Sequence, residues 1–216
     1  MGRVQAPRTL TELLALPDVD EQCELRSTFG LMAIHGGGLE MMTDVIASAA
    51  AESAGASYYA VIHPDDVEHH LSSLRYRVEE SAALAAFVDH VDVVVSLHGY
   101  GREGSWTSIL AGGRNRQLAD TVASEVAARL PDYDVVTDLD RIPVELRGVS
   151  VRNPVNLPIN DGVQLELPPR VRRHTGVPTF DPAWEAAIVD ALASVAASWT
   201  SASSPSPSKA RPTTTS

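Results

Sequence analysis

Apolar positions along the chain fall into short runs separated by amphipathic stretches. Residues 31–34 form one such run, which breaks into His35-Gly36-Gly37-Gly38, a strand feeding a glycine turn. Met42, Val45, Ile46, Ala49 and Ala50 then recur at helical spacing and predict a helix over 39–54. Residues 58–62 read as a strand and 81–88 as a helix. The segment 91–97, VDVVVSL, is mostly apolar, as a strand buried on both sheet faces is, and it ends in His98-Gly99-Tyr100-Gly101. Further strands are expected over 106–110, 134–137 and 162–167. Helices are expected over 9–16, 116–130 and 182–199. Strands that alternate with helices predict an α/β fold of three layers, α/β/α, around an open, mostly parallel sheet. Ligand sites of such sheets lie at the carboxyl ends of the strands.

Composition adds a boundary and several exclusions. Apolar residues make up 44% of the 216 positions, enough for a sizeable core. Residues 200–216 are rich in Ser, Thr and Pro, with no large apolar side chain after Trp199. They are expected to be a disordered tail behind one domain over 1–199. No window is apolar enough to span a membrane, and the opening segment lacks the apolar stretch of a secretory signal. The expectation is a cytoplasmic monomer with no membrane partner. Cys23 is the lone cysteine, which excludes an intramolecular disulfide and any multi-cysteine metal site.

Charge narrows the partners. Lys and Arg number 17 against 28 Asp and Glu, a net of −11, and the tail holds two cations and no acid, so 1–199 carries −13 (15 against 28). Such a body lacks the broad basic face that binding to a phosphate backbone requires, so no nucleic-acid partner is expected.

The strand-end rule singles out His35 and His98, each following an apolar strand and preceding glycine. Glu40 lies five residues beyond His35, in the first turn of a helix opening at Leu39, and the glycine loop can fold it back. Two histidines and a carboxylate, with a fourth position open to water, are the usual ligands of a catalytic zinc. The competing reading makes each histidine a polar strand terminus. A hydrolytic zinc also needs a base that is not a ligand. Glu166 is the candidate: within GVQLEL it shares a side with Gln164, opposite Val163, Leu165 and Leu167. A glutamate inside a strand buried on both faces is costly unless paired or functional, whereas on an edge strand it would sit in water. Arg170, Arg172 and Arg173 follow this strand, and Arg114 and Arg116 follow Gly112-Gly113; either group could hold a carboxylate by a bidentate fork. His63, His69, His70 and His90 lack a third ligand at good spacing, although the polar side of 70–72 could face the same rim. The triple glycine lacks the GxGxxG spacing and the lysine of a phosphate loop.

The ordered set Ala33-Ile34-His35-Gly36-Gly37-Gly38-Leu39-Glu40, Ser96-Leu97-His98-Gly99, Gly112-Gly113, Asn153-x-x-Asn156 and Gly162-Val163-Gln164-Leu165-Glu166-Leu167 resembles the phage-type poly-γ-glutamate hydrolases. Some of that family carry the older label of phage-related replication protein. The resemblance spans about residues 30–175. It implies a zinc carboxypeptidase-like core, Zn²⁺ on His35, Glu40 and His98, and Glu166 as general base. It also implies hydrolysis of γ-glutamyl amides, in a polymer or a small molecule, with Arg114, Arg170, Asn153 and Asn156 as substrate-binding candidates. Arg114 is the favoured carboxylate anchor, since its Gly-Gly turn is expected to end near the His98 loop. Two features depart from the pattern: Leu157 follows the second asparagine where many relatives have a basic residue, and the body is acidic for a polyanionic substrate. A replication-associated relative without catalysis, and a zinc peptidase acting on another amide, are the alternatives.

Overall fold

The computed structural model describes residues 6–65, 70–102, 104–172 and 181–202, the last three of these by backbone alone. Seven strands form one mixed sheet in the order β1-β3-β2-β4-β7-β5-β6. These are β1 (Asp20–Glu24), β2 (Phe29–Gly37), β3 (Ser57–His63), β4 (Val93–Gly99), β5 (Ser108–Ala111), β6 (Asp134–Val136) and β7 (Gly162–Leu167). The four central strands β3, β2, β4 and β7 are parallel. At one side β1 runs antiparallel to β3; at the other, β5 runs antiparallel to β7 and carries β6 parallel to itself.

The helices are α1 (Leu10–Leu14), α2 (Thr43–Ala54), α3 (Ala82–His90), α4 (Arg116–Arg129) and α5 (Pro182–Ala202). Their starts follow from side-chain caps. Thr9, Ser81 and Asn115 each accept a hydrogen bond from a backbone N–H of the first turn of α1, α3 and α4. The expected tail from residue 200 overlaps the end of α5, and its remainder, 203–216, lies outside the described residues.

Alternation along the strands divides the core into two layers. Leu31, Ala33, Val93, Val95, Leu97, Val163, Leu165 and Leu167 pack against α2, α4 and α5. Met32, Ile34, Tyr59, Val61 and Val94 face the other way, against Leu10 and Leu13 of α1 and Leu84 and Phe87 of α3. On β4 and β7 this second face also carries Ser96, His98, Gln164 and Glu166, all buried. The expected three-layer fold is therefore present, with the polar strand positions collected on the α1/α3 side. The strand β1 was not anticipated: its sequence, DEQCE, alternates exposed and half-buried residues and has no apolar run.

A candidate metal and hydrolytic centre

Four adjacent parallel strands bring a functional side chain to the same edge of the sheet. His63 closes β3, His35 lies near the end of β2, His98 near the end of β4, and Glu166 near the end of β7, directly in register with His98. β7 is an inner strand, and Glu166 is 2% exposed, so the solvated edge-strand reading of this residue is overturned.

Glu40 reaches the edge through the β2–α2 turn. Its backbone N–H donates to His35 O at 2.8 Å, folding the loop back on the strand it leaves. Gly37 adopts the left-handed φ of 66° that this turn needs and donates its N–H to Asp44 Oδ1 at 3.0 Å. That N–H is thus committed within the protein rather than offered to a phosphate. Met42, at φ 71°, interrupts the helical path, so α2 begins at Thr43 and Glu40 sits in the preceding turn, not in the helix as expected.

The carboxylate of Glu40 bridges two imidazoles. Its Oε1 lies 2.9 Å from His35 Nδ1, and its Oε2 lies 3.2 Å from His98 Nδ1 and accepts the Gly99 N–H at 2.8 Å. Each ring is anchored on its far side: His35 Nε2 lies 2.9 Å from Leu71 O, and His98 Nε2 lies 3.2 Å from Ser96 Oγ. Since a carbonyl can only accept, His35 carries its proton on Nε2, and the same assignment suits His98. Both Nδ1 lone pairs then point at a carboxylate. Without a cation, a proton must sit between them. Burial would raise the Glu40 carboxyl, but the charges and hydrogen bonds of His98 and His35 hold it far below the usual carboxylate range. Burial would lower His98, but Glu40 and Glu166 draw it upward. Two imidazole nitrogens flanking a carboxylate are donors of the kind a divalent zinc takes, with outer hydrogen bonds that fix the tautomers, although among the described residues His98 stands outside the trio whose donor atoms lie within 4.8 Å of one another.

Two further histidines join the cluster. His70 was set aside on spacing, yet His35, Glu40 and His70 each offer a donor atom within 4.8 Å of the others, and the His70 ring centroid is 4.5 Å from that of His35. The ring of His63 lies 6.5 Å from His35, and neither of its nitrogens has a hydrogen-bond partner among the described residues. Burial, with His35 beside it, lowers His63 to about 4. Sequence distance hides this convergence, which arises because β2 and β3 are sheet neighbours. His69 and Arg173 lie outside the described residues.

Glu166 ends a chain of buried amides. Asn153 Nδ2 donates to Gln164 Oε1 at 2.8 Å, and Gln164 Nε2 donates to Glu166 Oε1 at 2.8 Å. Burial, aided by Glu40, pushes the Glu166 carboxyl up to about 7 against the pull of His98, Gln164 and Arg172. Arg172 is itself buried. It donates to Leu167 O at 3.0 Å and Met41 O at 2.9 Å, and its guanidinium lies against Gly99, where a Cβ would come within 2.3 Å of Cζ. It ties the ends of β4 and β7 to the Glu40 loop.

The other sequence candidates occupy different places. Because β5 is antiparallel to β7, the Gly112-Gly113 turn ends at the start of β7, with Asn115 N–H on Gly162 O. Arg114 pairs there with Asp161 at 3.0 Å, five residues or about 16 Å along the strand from the level of Glu166. The expected approach of Arg114 to the His98 loop is thus corrected by strand direction. Arg170 lies 6.0 Å from the Trp184 ring of α5, on the layer opposite Glu166. Arg116 donates to the carbonyls of Ala111, Gly112, Gly113 and Thr137. Asn156 accepts from Arg114 N–H and donates to Gly148 O and Ser150 O, so its amide is spent on the loop that carries Asn153.

Comparison with known proteins bears on the family and the fold. A family model described as poly-gamma-glutamate hydrolase matches residues 12–176. No curated protein matches the chain in sequence. Among solved structures, a bacteriophage poly-gamma-glutamate hydrolase superposes with a TM-score of 0.69 at 19% identity, over 88% of this chain and 95% of that one. A zinc-free apo form of a protein called YNDL gives 0.69 at 20% identity, over 88% and 96%. A metallo-carboxypeptidase from Pseudomonas aeruginosa in complex with (2-guanidinoethylmercapto)succinic acid gives 0.53 at 14% identity, over 90% and 63%. At these identities the structural likeness establishes the fold, an open zinc carboxypeptidase-like α/β sheet.

Proposed function

We infer the activity from one premise: the chain belongs to the poly-gamma-glutamate hydrolase family, and it is a hydrolase. We propose that it is a zinc-dependent amide hydrolase cleaving γ-glutamyl amide bonds. The observation that carries this reading is a buried carboxyl, Glu166, raised toward neutrality beside a cluster of imidazoles and a carboxylate on the same sheet edge. His35, Glu40 and His98 would hold the zinc.

When bound, zinc supplies Lewis-acid polarisation and makes water acidic enough to attack near neutral pH. The protein does the rest. Gln164 fixes Glu166 Oε1, leaving Oε2 for proton transfer. Glu166 takes a proton from the attacking water as its oxygen bonds to the amide carbon. It then delivers that proton to the nitrogen as the C–N bond breaks, giving a carboxylic acid and an amine. A carboxyl titrating near 7 can accept and return a proton at similar driving force. Leu71 O and Ser96 hold the histidine tautomers, and Arg172 holds the Glu40 loop against β4 and β7.

The test is a panel of γ- and α-linked glutamyl oligomers with and without a chelator. Turnover of γ-linked substrates that is lost on chelation and restored by zinc supports the reading. Preference for α-linked peptides, or turnover indifferent to chelation, refutes it.

A further inference from the structure

The chain is acidic, and a poly-γ-glutamate strand carries one carboxylate per residue, so the chain must hold its substrate against its own net charge. One place on the surface reverses that balance. A cleft of about 540 Å³ is lined by Arg8, Arg75, Arg77 and Arg152, against only Glu79 and Glu80. The Glu80 carboxylate accepts the N–H groups of Leu10 and Thr11 at the start of α1. Among the described residues, none of the four guanidinium groups has a carboxylate within 4.0 Å, although the Arg8 backbone N–H donates to Glu12, whereas those of Arg26, Arg102, Arg114, Arg129, Arg141 and Arg147 do.

The walls of the cleft connect it to the hydrolytic centre. Tyr76 forms one wall; its hydroxyl donates to Ile34 O at 2.7 Å, and its ring stands 5.7 Å from His35. Arg152 also lines the cleft and precedes Asn153, which begins the amide chain to Glu166. The cleft shares the α1/α3 side of the sheet with His98 and Glu166.

We propose that this arginine-lined cleft is a subsite that holds the free carboxylates of a γ-linked glutamate chain beyond the bond being cut. The proposal rests on the γ-glutamyl reading above. It replaces Arg114 and Arg170 as anchors with arginines that line a cleft next to the site. A planar guanidinium without an internal partner is free to take a carboxylate by two parallel hydrogen bonds. Four of them along one cleft favour a chain over a single amino acid.

The experiment uses the full chain with Glu166→Gln, so that bound oligomer survives. Binding of a fluorescent poly-γ-glutamate oligomer is followed by anisotropy with and without Arg75→Gln/Arg77→Gln and with Arg152→Gln. Affinity is expected to fall about tenfold or more, the scale of losing charge-assisted contacts. In a parallel kinetic arm that keeps Glu166 unchanged, the same arginine variants are compared on a long oligomer and a two-residue substrate, and the long-to-short ratio of kcat/KM is expected to drop by a similar factor. Unchanged oligomer affinity, or equal loss for long and short substrates, overturns the subsite. Equal, arginine-dependent binding of a single-stranded oligonucleotide of matched charge overturns its assignment to polycarboxylates. Arginine-dependent oligomer binding without hydrolysis of any γ-linked substrate would sink the activity while leaving the cleft in place.

Discussion

Glu166 is kept in a place that costs stability. Its carboxyl ordinarily titrates near 4.5 and is raised to about 7 by burial. Between those values the folded chain holds a proton that the unfolded chain has released, so stability falls as pH rises through this window. The full shift corresponds to about 3 kcal/mol. Glu166→Gln does not titrate and escapes this loss. In metal-free protein, urea unfolding at pH 5 and pH 8 is expected to show the variant gaining on the wild type by up to about that amount at the higher pH. A constant gap would mean that the side chain is solvated. Zinc content of the same variant is expected to stay intact while turnover drops on the order of 10²-fold or more, the range of general acid–base catalysis. Loss of zinc would instead make Glu166 a ligand. Since the base must be deprotonated to take a proton from water, wild-type kcat/KM is expected to rise with pH along its acid limb, and that rise is expected to be lost in Glu166→Gln.

At the scale of elements, the proposed zinc centre is a product of strand ends and one turn. His98 sits in the sheet with both ring nitrogens engaged and is 3% exposed, whereas His70 is exposed. Metal analysis is therefore expected to find zinc lost in His35→Ala and His98→Ala and retained in His70→Ala; the reverse pattern would move the third ligand to His70. Gly99 is the second sensitive point, because its N–H holds Glu40 and its Cα face carries the Arg172 guanidinium. Gly99→Ala is expected to cost about 1–3 kcal/mol by overpacking, read in a denaturant melt, and to weaken zinc retention with it. The strand-end histidines, Glu40 and Glu166 could be read from sequence because each terminates or punctuates an apolar run. What could not be read is what strand order and direction decide. Antiparallel β5 carries Arg114 to the wrong end of β7, and the β2–β3 pairing puts His63 beside His35. The polar strand β1 was invisible for a different reason: it is an edge strand with little to bury.

At the scale of the whole molecule, two electrostatic effects of opposite sign would act on the proposed polyanionic substrate. The net charge of −11 repels it at long range, and the four cleft arginines attract it at contact. Salt separates them, because screening reaches distant charges first. The Debye length shrinks from about 30 Å at 0.01 M to about 10 Å at 0.1 M and about 3 Å at 1 M. From the lowest salt, added ions remove the general repulsion while contact pairs persist, so kcat/KM for a long γ-linked oligomer is expected to rise. Toward molar salt the arginine contacts weaken too, and it is expected to fall. A two-residue substrate, which carries far less charge than a long oligomer and does not extend along the cleft, is expected to trace a much flatter curve. Steady-state kinetics of both substrates across this range, at fixed pH and zinc, make the comparison. A monotonic decline for the long oligomer from the lowest salt onward would mean that the acidic body is not felt at the cleft. A curve as flat as that of the short substrate would mean that neither charge effect governs binding.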